Sequence, residues 1–143
     1  MFLGEFQHSL DAKGRVTLPA KFREALADGL VITKGMEKCL FVFSRSEWPS
    51  LQDKVQSLSL GTKDARQFSR IFFGGATEEE LDKQGRVLVP EHLRQYAELD
   101  KDAIIVGVSN RLEVWNKENW DAYVREAESS YVEIAEELTD LGL

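Results

Sequence analysis

Two short stretches of the sequence carry the same charged residues at the same spacing. Residues 11–19 are Asp-Ala-Lys-Gly-Arg-Val-Thr-Leu-Pro, and residues 82–90 are Asp-Lys-Gln-Gly-Arg-Val-Leu-Val-Pro. The Asp, Gly, Arg, first Val and Pro are identical, and the second stretch begins 71 positions after the first. Arginine and lysine side chains suit the recognition of phosphates and base edges. The duplication therefore marks both stretches as candidate binding surfaces.

Each stretch also predicts its own local structure. An Asp at the first position and a Gly at the fourth are typical of a type I turn, in which the Gly takes a positive φ as the next strand begins. Alternation along that strand places Arg15 and Thr17 on one face and Val16 and Leu18 on the other. The second stretch alternates in the same way. We therefore predict two β-hairpins, each with a basic tip and an apolar back.

The distribution of charge bears on what such tips can bind. The chain has 143 residues and a formal net charge of −7. Residues 1–112 contain 16 basic and 16 acidic residues, whereas residues 113–143 contain 2 and 9. The body is neutral and the acidity belongs to the C-terminal segment, so the net charge does not exclude a nucleic-acid partner.

Other features limit the class of protein. The length suits one domain or two small intertwined halves. The sequence has no run of 18 apolar residues, and its first residues lack the charged start and apolar stretch of a signal peptide. Cys39 is the single cysteine, which excludes an internal disulfide framework and a cysteine zinc site. We expect a soluble, cytosolic protein without a membrane segment.

The same order of elements follows in both copies: strand, turn, strand, helix, strand, strand. In the first copy we predict strands over residues 5–10, 15–18, 30–34 and 40–43, with a helix over 20–27 between Pro19 and Gly29. In the second copy we predict strands over 76–81, 103–109 and 112–115 and a helix over 91–97. Beyond the helices the copies match at a spacing of 72, as in Ile32 and Ile104, which predicts one extra residue after the second helix.

Further helices follow each copy. We predict a helix over residues 47–58 with Ser46 as N-cap, and another that begins after Thr62 and ends at Gly74-Gly75. A last helix should extend from the N-cap Asn116 to about Leu138. Its seam of apolar residues, which we interpret as packing on the body or, alternatively, as a subunit contact, comprises Trp120, Val124, Ala127, Tyr131, Ile134, Leu138 and Leu141.

Three motifs together resemble the MraZ family: Met1-Phe2-Leu3-Gly4-Glu5, the paired Asp-x-x-x-Arg hairpins, and the strand from Ser109 to Trp115. The resemblance covers essentially the whole chain. It implies an α+β fold of two tandem AbrB-like swapped-hairpin β-barrel repeats related by a pseudo-twofold axis, with linking helices and a C-terminal helix. We assign residues 1–74 to the first half and residues 75–143 to the second.

The resemblance also implies a function. Members of the family are transcriptional regulators that bind direct repeats upstream of their own division and cell-wall operon, and they assemble into rings. We therefore expect double-stranded promoter DNA as the partner, self-association into a ring-shaped homo-oligomer (an octamer or dodecamer) and a nucleoid-associated location. We expect no membrane partner, no small-molecule substrate and no cofactor.

The candidate DNA contacts lie in the two hairpins. By resemblance, the DNA-contacting arginines correspond to Arg15 and Arg86. Lys13 and Lys83 at the tips are candidate phosphate contacts, and Thr17 has a weaker claim to a base or phosphate. Alternatively, each arginine pairs only with the Asp of its own turn, although an exposed pair of that kind adds little stability.

The remaining basic residues are interpreted as surface charges. Lys21, Arg23 and Arg94 lie on the short helices, where charged side chains are commonly solvated. Lys63, Arg66 and Arg70 are spaced three and four residues apart, so they share one face of the linking helix. That face could extend a basic patch, and a solvated helix face is the simpler interpretation.

An enzyme is the least supported class. His8 and His92 have no counterparts in the other repeat, and Cys39 adjoins an apolar strand as small core residues do. The alternative to a DNA-binding regulator is an antitoxin-like or scaffold module whose acidic C-terminal segment covers a basic partner. A segment that folds only on a partner should be poor in apolar residues, whereas residues 116–141 carry a regular apolar seam.

Overall fold

The computed structural model of the chain describes residues 1–138 and 141–142. Its strands are β1 (Phe2–Ser9), β2 (Arg15–Thr17), β3 (Leu30–Lys34), β4 (Leu40–Ser44), β5 (Thr77–Glu79), β6 (Arg86–Leu88), β7 (Asp102–Ser109) and β8 (Leu112–Asn116). Its helices are α1 (Ala20–Arg23), α2 (Trp48–Gln56), α3 (Lys63–Gly74), α4 (Glu91–Tyr96), α5 (Lys117–Ser129) and α6 (Tyr131–Glu137). The predicted order of elements is therefore present in both halves. Within the described residues no helix is long and apolar enough to cross a membrane.

The strands of the two halves are interleaved. β1 of the first half pairs along its whole length with β7 of the second, and β5 of the second half pairs with β3 of the first. The result is an antiparallel sheet in the order β1-β7-β8-β4-β3-β5, beside a two-stranded ribbon formed by β2 and β6. This exchange is the swapped-hairpin arrangement that the resemblance implied. In the described part of the chain, β1 and β5 end the sheet, so a hydrogen-bonded closed barrel is not shown.

This exchange corrects the predicted pairing within each hairpin. Between β1 and β2 the ladder is limited to a bridge from Leu10 to Val16. Each return strand instead finds its partner in the other repeat, with Val16 opposite Val87. The pairing between repeats places the central valines of the two short strands side by side against the core. Val16 and Val87 are accordingly 0% and 1% exposed beneath the ribbon.

One hydrophobic core serves both halves. The inward side chains of the ribbon and of the sheet meet those of the short helices α1 and α4. The fully buried members include Val16, Leu18, Phe22, Leu26, Ile32, Val87, Leu93 and Ile105. Burial of each such side chain contributes about 1.5–3 kcal/mol. The ribbon is therefore fixed from below by residues of both repeats.

The register of the sheet corrects the predicted match between the copies. Ile32 pairs with Val42, and the corresponding partner of Val114 is Ile105, not Ile104. Ile32 and Ile105 lie in the same core, whereas Ile104 belongs to a cluster on the opposite face of the sheet. The second copy therefore has two extra residues before β7 and one fewer in the turn before β8. The periodicity of two makes such a one-residue slip reverse the face of every side chain.

Several helix boundaries differ from the predictions. The helix predicted over residues 20–27 is regular only in α1, because Leu26, Ala27 and Gly29 donate to carbonyls three residues back, as in a series of turns. Ser46 does not cap α2; the Ser44 hydroxyl accepts the Glu47 amide at 3.1 Å. The predicted cap Thr62 is confirmed, since its hydroxyl accepts the Ala65 amide.

The C-terminal helix is divided. Asn116 caps α5 as predicted, with its side chain accepting the Asn119 amide at 2.9 Å. The helix ends at Ser129 because Ser130 departs from helical geometry, with φ −111° and ψ 5°, and α6 begins at the next residue. The predicted seam packs on the body only at the start of α5, where Trp120 contacts Trp115. No side chain of α6 is buried.

Candidate nucleic-acid interface

The two duplicated stretches form one surface. β2 and β6 are antiparallel, with Arg15 opposite Leu88 and Thr17 opposite Arg86. These four side chains share the outer face of the ribbon, because Val16 and Val87 between them point into the core. Backbone bonds extend the pairing into each turn, from the Leu18 amide to the Gly85 carbonyl and from the Val89 amide to the Gly14 carbonyl, both at 2.9 Å. The structure thus brings together two tips that the sequence presents separately.

The carboxylate of Asp11 organises the first turn and its arginine. One oxygen, Oδ1, accepts the backbone amides of Lys13 at 3.0 Å and Arg15 at 2.9 Å. The other, Oδ2, accepts Nε–H of the Arg15 guanidinium at 2.7 Å. The side chain that shapes the turn therefore also fixes the direction of the arginine.

The second turn repeats this geometry. Asp82 Oδ1 accepts the amides of Gln84 and Arg86 at 2.9 Å each, and its Oδ2 accepts Arg86 Nε–H at 2.7 Å. The backbone hydrogen bond from the arginine is the largest cause that lowers the pKa of each aspartate, and the guanidinium hydrogen bond adds to it against some desolvation. Both carboxylates therefore stay ionised to a lower pH than an unperturbed aspartate would.

Each arginine does pair with the aspartate of its own turn, which was the alternative to a DNA contact. This pairing uses only part of the guanidinium. Among the hydrogen bonds of the described residues, Arg15 and Arg86 use only Nε. Each side chain is 29% exposed, and Arg86 Nη1 lies 4.0 Å from Asp11 Oδ2 of the other turn. The terminal Nη edges of both arginines therefore lie close together on the ribbon and can donate to a ligand.

Two further arginines close the ribbon from the helices. Arg94 of α4 lies against Gly14 of the first turn and donates from Nη1 to the Val89 carbonyl at 2.8 Å. Arg23 of α1 lies against Gly85 of the second turn and donates from Nε to the Leu18 carbonyl at 3.1 Å. Each guanidinium therefore crosses from one repeat to the turn of the other.

The two turn glycines are required for two reasons. Gly14 and Gly85 have φ of +82° and +76°, as predicted, and this backbone conformation disfavours a side chain. A Cβ at either position would also collide with the guanidinium of Arg94 or Arg23. In the free chain, the absence of a side chain at each glycine therefore makes room for an arginine of the opposite repeat.

Sequence reasoning assigned Arg23 and Arg94 to the solvated surface and so missed their place in the site. The available signal was their spacing, which is the same 71 positions that separate the two turns. Neither positive charge nor a place on a short helix distinguishes them from Lys21, whose ammonium lies 5.4 Å from the ring centres of Phe6 and Phe22.

The remaining candidates lie around the ribbon. Lys13 and Lys83 are exposed in the turns at its two ends, and Thr17 is half-buried beside Arg86. Leu88, the counterpart of Thr17, is 43% exposed on the same face. The outer face therefore combines two arginines with one hydroxyl and one apolar side chain.

Other titratable residues have structural surroundings. Burial, followed by the nearby Glu113 charge, raises the pKa of the Cys39 thiol, which is 1% exposed and donates to the Met36 carbonyl. His92 Nε2 lies 3.2 Å from the Gly75 carbonyl. Within residues 1–138 and 141–142, no group of three acidic, histidine or cysteine side chains is arranged to hold a metal ion.

Known proteins resemble this chain over its whole length. A family model described as "MraZ protein, putative antitoxin-like" matches it twice, over residues 1–71 and 72–142. A Desulforamulus reducens protein named Transcriptional regulator MraZ is 53% identical over 141 residues, 99% of each chain. Proteins of the same name from Natranaerobius thermophilus and Carboxydothermus hydrogenoformans are 54% and 52% identical over 143 residues, all of each chain. With two family matches in tandem and relatives aligned from end to end, the chain belongs to the MraZ family.

Proposed function

We propose that this chain is a sequence-specific DNA-binding transcriptional regulator that inserts its β2–β6 ribbon into a groove of DNA. The observation that carries the proposal is the pair of arginines, Arg15 and Arg86, held by Asp11 and Asp82 through Nε with their Nη edges accessible. The name Transcriptional regulator MraZ, carried by relatives that align over the full length, supports the same function.

The aspartates give the arginines a specific advantage. A free arginine side chain loses rotamer freedom when it binds, and a guanidinium already fixed by a carboxylate loses less. The Nη edge still offers two parallel donors, which match the O6 and N7 acceptors of guanine. We infer that Arg15 and Arg86 contact bases, and that the Asp-x-x-x-Arg motif exists to orient them.

The surrounding residues have supporting roles in this proposal. Lys13 and Lys83, at the two ends of the ribbon, contact phosphates on either side of the groove. Thr17 donates to a base or a phosphate next to Arg86. Arg23 and Arg94 are positioning residues: each donates to a carbonyl of its own repeat, Leu18 or Val89, and lies against the turn glycine of the opposite repeat.

The target that we propose is a set of direct repeats upstream of the chain's own division and cell-wall operon. The pseudo-twofold symmetry of the ribbon is broken where Thr17 corresponds to Leu88 and where Lys83 lies one position earlier in its turn than Lys13. One ribbon therefore favours a non-palindromic half-site. Several identical ribbons in a ring-shaped homo-oligomer, each on its own half-site, would favour half-sites that repeat in one direction.

The decisive experiment is a gel shift of the purified chain on its own upstream DNA, with scrambled DNA of equal length as competitor. We expect specific shifts whose affinity rises steeply from one to two to four repeats, as linked contacts add avidity of about 10²–10⁴. Affinity should fall with salt, by about 0.9 in log–log slope per phosphate contacted. Equal affinity for scrambled DNA would contradict the proposal.

An antitoxin-like or scaffold function is the second candidate. It is favoured by the acidic C-terminal segment, whose apolar side chains on α6 are exposed, and by the words "antitoxin-like" in the family description. Circular dichroism of the chain alone tests it: we expect the helical content of all six helices, whereas a segment that folds only on a partner would give less.

A further inference from the structure

The duplicated halves differ most in the helices that follow them. In the first half, residues 57–62 reverse the chain, so that α3 folds back over α2. There Phe72 stacks on Trp48, with their ring centres 5.8 Å apart. Phe43, Val55 and Phe72 form a buried cluster there. The second half begins in the same way, with Trp115 and Trp120 where the first has Phe43 and Trp48. Only Ser130 separates α5 from α6, so the chain has no reversing segment and α6 does not return.

Helix α6 consequently carries an exposed apolar face. Tyr131 and Val132 are 71% and 66% exposed, and Ile134 and Leu138 are 47% and 55% exposed. Tyr131, Val132, Leu138 and Leu141 line a groove of about 370 Å³, and Ile134 lines a neighbouring groove with Tyr123 and Ala127. Soluble chains seldom leave so many adjacent large apolar side chains in water unless another surface covers them.

The charges beside this face are mainly negative, and Arg125 is the one basic residue between residue 122 and the end of α6. Glu133, Glu136 and Glu137 lie on α6, and Glu126 and Glu128 lie at the end of α5. Among the ion pairs of the described residues, none includes these five carboxylates. Two copies of α6 packed face to face would place these like charges together, which is unfavourable.

Helix α3 has the complementary surface on its outer side. Lys63, Arg66 and Arg70 line a groove of about 360 Å³ together with Ile71, which is 52% exposed. None of the three basic residues takes part in an ion pair of the described part of the chain. Nearby Leu60 is 76% exposed, so this basic surface also has an apolar component.

We propose that α6 of one copy docks on α3 of the next copy, with Ile134 and Leu138 against Ile71 and the glutamates against Lys63 and Arg70. The contact joins the second half of one chain to the first half of another, so each copy offers one surface of each kind. Such a head-to-tail contact closes into a ring when the rotation between copies permits it. The proposal rests on the ring assembly of the proposed function and assigns its interface.

The test uses charge reversal on the full-length chain. The α3 variant is Lys63→Glu with Arg70→Glu, and the α6 variant is Glu133→Lys with Glu136→Lys. All four positions are exposed, so the fold should be unchanged, and circular dichroism checks it. A matched control, Lys54→Glu with Lys101→Glu, changes the net charge as the α3 variant does, at exposed residues that line neither groove.

Light scattering after size exclusion measures the mass of each protein. We expect the parent and the control to form a closed assembly, and each single-surface variant to fall toward the 16.3 kDa chain. The concentration for half assembly should rise by at least about tenfold, the change expected for 1.4 kcal/mol. The fourfold variant with both surfaces reversed should recover assembly, because each contact is then attractive again.

Three results would overturn the proposal: an assembled α3 variant, a fourfold variant that stays dissociated, or a parent that is monomeric. An α6 variant that alone dissociates would indicate pairing of α6 with itself. A parallel titration on a single-repeat duplex separates this inference from the DNA-binding function. If a dissociated variant binds the single-repeat duplex with the same affinity as the parent, the ribbon still binds DNA. The DNA-binding function then stands independently of which surfaces form the subunit interface.

Discussion

The ribbon and the appended helices have diverged to very different degrees since the duplication. In the ribbon, Asp11 and Asp82 make the same hydrogen bonds at nearly the same distances, and Arg23 and Arg94 approach opposite turns in the same way. In the appended helices, α3 buries Phe72, whereas α6 buries nothing. The chain has kept two equal copies where both act at one surface, and unequal copies where the two ends of the molecule differ.

The difference shows which constraint acts on each region. A ribbon made of one strand from each repeat needs both strands to have the same turn and the same partner across the axis. The appended helices pack mainly on their own half, although Trp120 of α5 also joins a cluster with Cys39 of the first half. Most of their residues can therefore change without a matching change in the other copy. Symmetry in this molecule is therefore a property of the shared surface and not of the whole fold.

The largest expected effect contrasts the two sets of helices. Phe72→Ala should destabilise the chain by about 3–5 kcal/mol, because the ring is 4% exposed between Trp48 and Phe68. Ile134→Ala should change stability by less than about 0.5 kcal/mol, since Ile134 is 47% exposed. Urea unfolding at low protein concentration measures both. Similar losses would show that α6 packs on the body of its own chain.

The next effect concerns the ribbon arginines. Arg15→Ala or Arg86→Ala should each cost about 1–3 kcal/mol of discrimination between the target and a mismatched sequence, with the melting temperature nearly unchanged. Because the two positions are equivalent, the single variants should resemble each other. Titrations on matched and mismatched duplexes measure this. If the double variant binds DNA as tightly and as selectively as the parent, the ribbon is not the DNA-binding surface.

A double-mutant cycle tests the crossing arginines. Gly14→Ala should destabilise the chain by about 1 kcal/mol or more, because of its positive φ and the contact with Arg94. In an Arg94→Ala background the contact share of that cost should disappear, whereas an Arg23→Ala background should leave it unchanged. Gly74→Ala is the control for an added methyl group, since open space surrounds it. Equal coupling to both arginines would contradict the crossed arrangement.

The turn aspartates predict an acid limit. Their pKa values are lowered in the folded chain, so their contribution to stability is complete above the unfolded value of about 3.9 and is lost as pH falls through the lower, folded value. The gap in melting temperature between the parent and Asp11→Asn with Asp82→Asn should be constant from pH 7 to pH 5 and should narrow below 3.8. A gap that changes near pH 6 would point to a histidine instead.

The smallest effect concerns Cys39, which the first half contributes to a cluster with Ile104, Val106 and Trp115 of the second. Burial raises the pKa of its thiol, so little thiolate is present at pH 8. A thiol reagent should label the native chain much more slowly than the chain unfolded in guanidinium. Fast native labelling would show that this contact between the halves opens readily.

Much of the local structure was predictable from the sequence. The turn glycines, the alternation of Arg15 with Val16, and the caps Thr62 and Asn116 follow from short-range rules that depend on neighbouring residues alone. The exchange of strands was given by the family resemblance and not by these rules. The pairing of Phe2 with Ser109 cannot be predicted from local periodicity, because the two residues are far apart in the sequence.

The errors have the same physical origin. The match of Ile32 to Ile104 fails by one residue because the two residues inserted before β7 are partly offset by the one residue deleted before β8. Arg23 and Arg94 were assigned to the surface because their contacts with Gly85 and Gly14, the turn glycines of the opposite repeat, form only when β2 pairs with β6. The break at Ser130 interrupts an apolar pattern that continues through it. In each case a tertiary contact or a single backbone angle decides the outcome.

The pairing of β1 with β7 also sets the order of events during synthesis. Strand β1 is synthesised first but cannot pair until Asp102–Ser109 has been synthesised, because Phe2 pairs with Ser109. Until then β1 is an unpaired strand, open to association with other nascent chains. A fragment truncated before Asp102 contains Arg15, Arg86 and the two helix arginines beside the ribbon, but it lacks the strand that pairs with β1. Release of an incomplete chain therefore yields a target for proteolysis and not a smaller version of the protein.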